Sequence, residues 1–355
     1  MFRTTAAAAA LAAAALAAPA APAFAEDVSA SIVAGHPPVF RWVKMFPQAF
    51  IPEVERRLEG TGHSMRFDEQ YGGAVAKVGE ELEAVEEGLA EIGAVSSLFD
   101  PAKLTLQNVT YYTPFVSDDA DLVTQVMDAL QREDARMQAI YDQFGIVQIG
   151  GPIAIDDYLL MTTFPVTSLA DLEGRKIAAP GAAINWLSGT GAVGVSGNLT
   201  LYYNDIKTGV YDGVLVFASA ALPGKLYEVA PHITKVGLGA QYAGSIGVNK
   251  DWWEDLPQEV RDAMLAGAEA YKAAYLADLD ATVKKAFEVM AANGATIKDA
   301  SPEMRRAWAA GMDNVAKEWA GTLDARGQPG SAILSTYMDA MRAAGATPLR
   351  DWDKE

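Results

Sequence analysis

The chain has 355 residues, half of them hydrophobic, with 46 acidic against 28 basic side chains and a net charge of −18. So acidic a composition argues against partners that need basic patches, nucleic acid and anionic membrane above all. The lack of any cysteine excludes a disulfide framework, thiolate metal sites and cysteine nucleophiles, while the length suffices for a large core shared between two domains.

From the N-terminus, Arg3 precedes an apolar run from Ala6 to Ala18 and an Ala23-Phe24-Ala25 pattern, the layout of an export signal cleaved after Ala25. That run is too short to cross a bilayer and no apolar stretch of about 20 residues follows, so no membrane insertion of its own is expected. Residues 28–34 alternate and are rich in β-formers, which predicts a first strand ending at Gly35-His36-Pro37-Pro38. Apolar side chains then recur at helical spacing through Val43, Phe46, Phe50, Val54 and Leu58. A second strand is predicted over 64–67 before Tyr71-Gly72-Gly73, then a helix carrying Leu82, Val85 and Leu89, then a third strand over 92–96. This βαβαβ order predicts an open α/β lobe. Further on, the pattern predicts a helix over 118–145, a strand over 147–151 and extended chain over 153–163.

Residues 164–229 carry the densest punctuation. Ser168-Leu-Ala-Asp171 has the spacing of a capping box, Gly174 stops that turn, and 176–179 reads as a buried strand closed by Pro180-Gly181. Residues 202–207 read as a helix stopped at Gly209, and 214–217 as another buried strand. Gly189-Thr-Gly191-Ala-Val-Gly194 satisfies G-x-G-x-x-G, but a helical segment precedes it and a loop follows, so it reads as a connection and not as a dinucleotide site. One helical pattern then runs from Gln258 to Ala292 with Pro257 in its first turn. At 1.5 Å per residue it reaches roughly 50 Å, longer than one lobe. Further helices are predicted from Ser301-Pro302-Glu303 and over 331–344.

The three histidines, His36, His63 and His232, are far apart, and neither H-E-x-x-H nor G-x-S-x-G occurs. No enzymatic activity, metal or cofactor is therefore expected. His36 lies in the loop after the first strand, where open sheets place ligands. Phe40 and Trp42 follow it, Tyr71 lies beyond the second strand, and Ser96 and Ser97 end the third; these are the binding candidates of the first lobe.

The segments PVTSLADLEGRKIAAPG (165–181), YNDIKTGVYDG (203–213) and KLYEV (225–229) resemble the signature of the DctP-type periplasmic substrate-binding proteins of TRAP transporters. Gly88-Leu-Ala-Glu-Ile-Gly93 is similar to another turn of that family. The resemblance implies an α/β, two-lobed periplasmic-binding-protein-like fold with mixed sheets, crossover strands and a long helix spanning both lobes. The implied layout is a signal peptide over 1–25, lobe I from 26–156 plus 241–290, and lobe II from 157–240 plus 291–355. It further implies a periplasmic monomer that captures a small organic solute by hinge closure and delivers it to the small and large TRAP membrane subunits. Other uses of such a scaffold are a ligand sensor partnering a receptor kinase and an exported hydrolase or isomerase.

Two departures from the family pattern fall on ligand positions. The family has an arginine between Ile177 and Ala179, which would grip a carboxylate with two parallel hydrogen bonds; this chain has Ala178. The family's Glu-Asn after Asp-Gly is replaced by Leu215-Val216, followed by Phe217. With Trp186, Tyr203 and Tyr242 nearby in the pattern, the second-lobe candidates are Ala178, Trp186, Tyr203, Val216, Phe217 and Tyr242. A buried carboxylate without a partner is costly. An aromatic, apolar or neutral polar solute is thus expected, or else an organic acid held atypically, by Arg41 or by backbone amides.

Overall fold

The computed structural model describes residues 27–355; the expected export signal over 1–25 lies outside them. In chain order the strands are β1 (Asp27–Ala34), β2 (Ser64–Tyr71), β3 (Ile92–Ser96), β4 (Ile146–Gln148), β5 (Ala154–Ile155), β6 (Tyr158–Thr162), β7 (Lys176–Ala179), β8 (Val193–Ser196), β9 (Gly213–Phe217), β10 (His232–Lys235), β11 (Gln241–Tyr242), β12 (Gly244–Asn249) and β13 (Thr296–Asp299).

Two mixed sheets form the lobes. The first has the order β2-β1-β3-β12-β4 and the second β13-β10-β6-β9-β7-β8. In the first, β1 runs parallel to β2 from Asp27 opposite Ser64 to Ala34 opposite Tyr71, and β12 runs antiparallel between β3 and β4. In the second, β7 is parallel to β8 and β9, while β6 is antiparallel to β9 and β10. Strands β3, β6 and β9 are buried along their whole length, as expected of unbroken apolar runs covered on both faces. The chain leaves the first sheet through β5 into β6 and returns through β11 into β12, and β5 and β11 pair antiparallel with each other. These two short crossings are the paired connection between the sheets, at the place of a hinge.

The long helical pattern does span both lobes, but in two pieces. Gln258–Leu276 packs on the helix Ile51–Leu58 of the first lobe, and Leu279–Ala292 packs on Ala218–Ala221 and β13 of the second. The break holds neither Gly nor Pro. It is imposed by Arg41, which donates to the carbonyls of Ala274 (3.0 Å) and Tyr275 (2.9 Å) and to Thr282 Oγ1 (3.3 Å), and pairs with Asp278. A side chain that claims carbonyls at a helix end is one of the few causes of a sharp kink. Arg41 is thus committed to the helix break and does not line the ligand cavity described below. The expected helix over 118–145 is likewise split at Asp134, whose carboxylate caps the second piece through the Arg136 N–H (2.9 Å).

The expected lobe boundaries need two corrections. Residues 279–290, expected in lobe I, sit with the second lobe, and of 291–355 the helices Val315–Asp324 and Gly330–Ala343 pack back on Leu106–Tyr112, the latter also on Ala120–Glu133, beside the first. The tail is locked there by the Trp352 indole N–H, which donates to the Pro114 carbonyl at 2.7 Å. The glycines of 189–194 serve packing: a Cβ on Gly189, at φ +73°, would come within 2.0 Å of the Gly311 carbonyl oxygen, and Gly194 lies inside β8, which the sequence pattern did not reveal.

Gly244 governs the seam between β3 and β12. Its φ is +144°, and a Cβ there would meet the Val95 carbonyl oxygen at 2.1 Å and Ser96 Cα at 2.8 Å. Strain and overpacking add, so Gly244→Ala is expected to destabilise the protein by about 3 kcal/mol. Urea unfolding reads this directly; an unchanged midpoint would mean that the two strands part at no cost.

Candidate ligand-binding site

Where the two lobes meet at the hinge, side chains from both sheets enclose a cavity. About 520 Å³ of non-atom space lies between them, open solvent included. The first lobe contributes His36, Trp42, Glu81, Ser96 and Phe99; the floor is Tyr111, Ile153, Ile155 and Tyr158; the second lobe contributes Pro180, Tyr202, Leu215, Val216 and Phe217.

Aromatic contacts set the shape. Trp42 stacks on Phe40 (5.1 Å between ring centres, 9° between planes), and His36 stands edge-on to both, 5.1 Å from Trp42 and 5.6 Å from Phe40. Trp42 approaches Phe217 of the opposite lobe at 6.2 Å, and Phe217 packs on Tyr158 at 5.3 Å. The Trp42 backbone is fixed by the Tyr271 hydroxyl, which donates to its carbonyl at 2.6 Å, and the hinge by Tyr275, which donates to the Ala154 carbonyl at 2.6 Å. The lobe-I half of the broken helix therefore positions both the aromatic wall and the hinge. On the other side, the Asp156 carboxylate accepts the Ser219 N–H at 3.2 Å and its hydroxyl, which ties the segment after Phe217 to the crossing.

The polar groups are few. Burial lowers His36 to about 4, so the imidazole is neutral, and its Nε2 has no hydrogen-bond partner among the described residues. Glu81 is 2% exposed. Its carboxylate accepts the N–H groups of Gly35 (2.9 Å) and Gly79 (2.7 Å), and burial raises it to about 7. The Tyr111 and Tyr158 hydroxyls meet at 3.3 Å, and burial raises both phenols. The Tyr202 hydroxyl is buried with no partner among the described residues. Ser96 Oγ is used within the seam, donating to the Ala243 carbonyl at 3.0 Å.

Of the sequence candidates, His36, Trp42, Ser96, Val216 and Phe217 face this cavity. The others do not. Phe40 stands behind Trp42, and Tyr71 lies against Phe46 at 6.2 Å. The Ser97 carbonyl accepts from Asn108, with its side chain buried. Ala178 points into the sheet core beside Val214, Val216 and Tyr202. Trp186 lies behind Tyr111 and Tyr158, its indole N–H donating to the Tyr111 carbonyl at 2.7 Å. Tyr203 points outward and donates to Glu228 at 2.8 Å, and Tyr242 is a buried residue of β11, its backbone bonded to Thr110.

A cavity walled by two sheets that share a double-strand hinge is the architecture of a solute receptor, and the sequence matches the bacterial extracellular solute-binding proteins, family 7 (DctP), over residues 47–322. The chain belongs to the DctP family. Solved structures of similar fold include DctP7, a Bordetella pertussis extracytoplasmic solute receptor binding pyroglutamic acid (TM-score 0.76, 21% identity, covering 89% of this chain and 99% of that one). The periplasmic ectoine-binding protein of the Halomonas elongata TeaABC TRAP transporter is similar too (TM-score 0.75, 18% identity, 90% and 100% covered). So is a TRAP periplasmic solute-binding protein from a Sulfitobacter species with bound β-D-galacturonate (TM-score 0.74, 16% identity, 88% and 100% covered). As a DctP-family receptor the chain is a binding protein and not an enzyme, and no described helix is long and apolar enough to cross a membrane.

Sequence reasoning missed Glu81, Tyr111, Tyr158 and Tyr202 in this DctP-family cavity. Tyr202 had a signal: with Ile206 four residues on, it forms the buried face of its short helix, and Tyr203 falls on the outer face. Glu81 had none, being one of five glutamates between residues 80 and 87.

Proposed function

We propose that this receptor is exported with loss of residues 1–25, acts in the periplasm as a monomer, captures a small organic solute in the interlobe cavity and delivers it to the small and large membrane subunits of a TRAP-type transporter. The observation that carries this reading is the cavity itself, whose walls come from both lobes and whose floor is the hinge. A solute touching Trp42 on one side and Phe217 on the other favours the closed arrangement by its differential affinity for it, and the closed surface is what the membrane subunits would recognise. The walls hold no lysine or arginine among the described residues, which supports an aromatic, apolar or atypically anchored solute over a dicarboxylate gripped by a guanidinium.

Small-angle scattering on protein stripped of solute by unfolding and refolding tests this. Adding back the solute released on denaturation should shrink the radius of gyration, and the solute should be recovered unchanged. Chemical conversion would point to the hydrolase or isomerase alternative, and an unaltered radius would remove hinge closure.

A further inference from the structure

Resting on the receptor reading above, we infer that the ligand of this cavity is a small organic cation, an ammonium or amidinium compound with an apolar body, whose charge is met by Glu81 and by the faces of the surrounding aromatic rings. The charge balance of the walls comes first. Glu81 is their single carboxylate, and no lysine or arginine lines the cavity among the described residues. Arg41 is bound to the helix break. An anionic solute would enter beside a carboxylate without any countercharge, whereas a cation would supply what Glu81 lacks.

Glu81 has capacity to spare. Its two oxygens offer about four acceptor directions, and the Gly35 and Gly79 N–H groups take one on each oxygen. The groups near it do not neutralise it: Asp100 is another acid, itself pushed up to about 6, and His36, next to Gly35 on the same lobe, is neutral. Lys103, beyond Asp100, is paired with Glu83 and Glu86. The remaining unpartnered atoms fit the same ligand. His36 Nε2 and the Tyr202 hydroxyl, on two residues that line the cavity, are buried without partners among the described residues, and a neutral imidazole and a phenol can each accept an N–H. Trp42, Phe99, Phe217 and Tyr158 supply the apolar surface, and the negative faces of such rings attract ammonium and guanidinium-like groups.

Three one-ring probes of matched size separate the charge classes: benzylamine, benzyl alcohol and benzoate, with choline as a cation that has no N–H. Binding to refolded, solute-free protein is read by calorimetry and tryptophan fluorescence. Benzylamine or choline should bind at least tenfold more tightly than benzyl alcohol, with benzoate weakest. Because Glu81 must lose its proton to meet a cation, and burial places it near 7, benzylamine affinity should fall severalfold or more from pH 8 to pH 5.5. Glu81→Gln should lose at least tenfold toward benzylamine and little toward benzyl alcohol; the wild-type pH profile carries the same test if that variant fails to fold. No preference for the cations, the tightest binding by benzoate, or affinity that improves on acidification overturns the inference. Mass spectrometry of the solute released on denaturation separates the two readings. A released anion or neutral molecule that still closes the lobes overturns the cation and leaves the receptor, and a failure of every solute to close the lobes removes the receptor reading itself.

Discussion

Ala178→Arg, which restores the arginine of the family pattern, is expected to unfold the second lobe instead of creating a carboxylate site. Ala178 is fully buried on β7, paired with Val195 on β8 and Val214 on β9, and packed in an apolar cluster with Leu159, Val216 and Tyr202. Inserting a guanidinium there combines overpacking with an unpaired buried charge, together about 5 kcal/mol, comparable to the whole stability of many domains. Circular dichroism through a thermal ramp should show the loss of the cooperative transition, or a much lowered one. Pairing it with Tyr202→Ala opens space in the same cluster and should recover part of the loss, a coupling that two distant sites would not show. If Ala178→Arg alone melts within a few degrees of the parent and gains affinity for pyroglutamate, then the arginine reaches the cavity and the departure at this position has no structural cost.

What was legible in the sequence follows from where the information lies. The stop at Gly174 and the strand at 176–179 come from neighbours in the chain. In the fold, Asp171 accepts the N–H groups of Thr167 and Ser168 at 2.7 and 2.9 Å, and Gly174 has φ +69°. Short strands without a β-rich run were not legible: β8 (VGVS) is interrupted by glycine, and β13 (TIKD) is largely exposed. The helix break at Asp278 was invisible because its cause, Arg41, lies more than 230 residues away. The cavity divides the same way. His36, Trp42 and Ser96 follow or end strands whose C-terminal ends point at the cleft, a position that topology alone assigns. Glu81 and Tyr111 arrive at the first residue of a short helix and in a 3₁₀ turn, with no periodicity to mark them, and the family signature does not reach them. Ala178 was expected in the cleft because the family pattern carries its arginine at this position; in this chain the position faces the apolar cluster of Leu159, Val216 and Tyr202.

Trp186→Ala is expected to cost about 5 kcal/mol, from the loss of a fully buried indole and the orphaning of a buried carbonyl. The ring stacks on Tyr111 at 5.7 Å and 12°, meets Tyr158 edge-on at 5.1 Å, and donates its N–H to the Tyr111 carbonyl at 2.7 Å, while the Trp186 carbonyl accepts the Trp308 indole N–H at 2.6 Å. Tyr111 belongs to the turn Leu106–Tyr112 beside the first lobe and Trp186 to the turn Gly181–Leu187 of the second, so this contact fastens the lobes together from behind the cavity. Both tyrosines line the cavity floor, and without the indole they lose their backing and the space for solute becomes larger and less defined. Trp186→Phe keeps most of the stack and removes only the N–H, which should cost about 1–3 kcal/mol. Urea unfolding of the two variants separates packing from hydrogen bonding, and scattering on each shows whether closure survives. The alanine variant should be the less stable and should close incompletely with the solute that closes the parent. Equal stability of the two variants would mean that the ring stack contributes nothing, and normal closure of Trp186→Ala would mean that the lobes are held by the Trp42–Phe217 contact and the hinge alone.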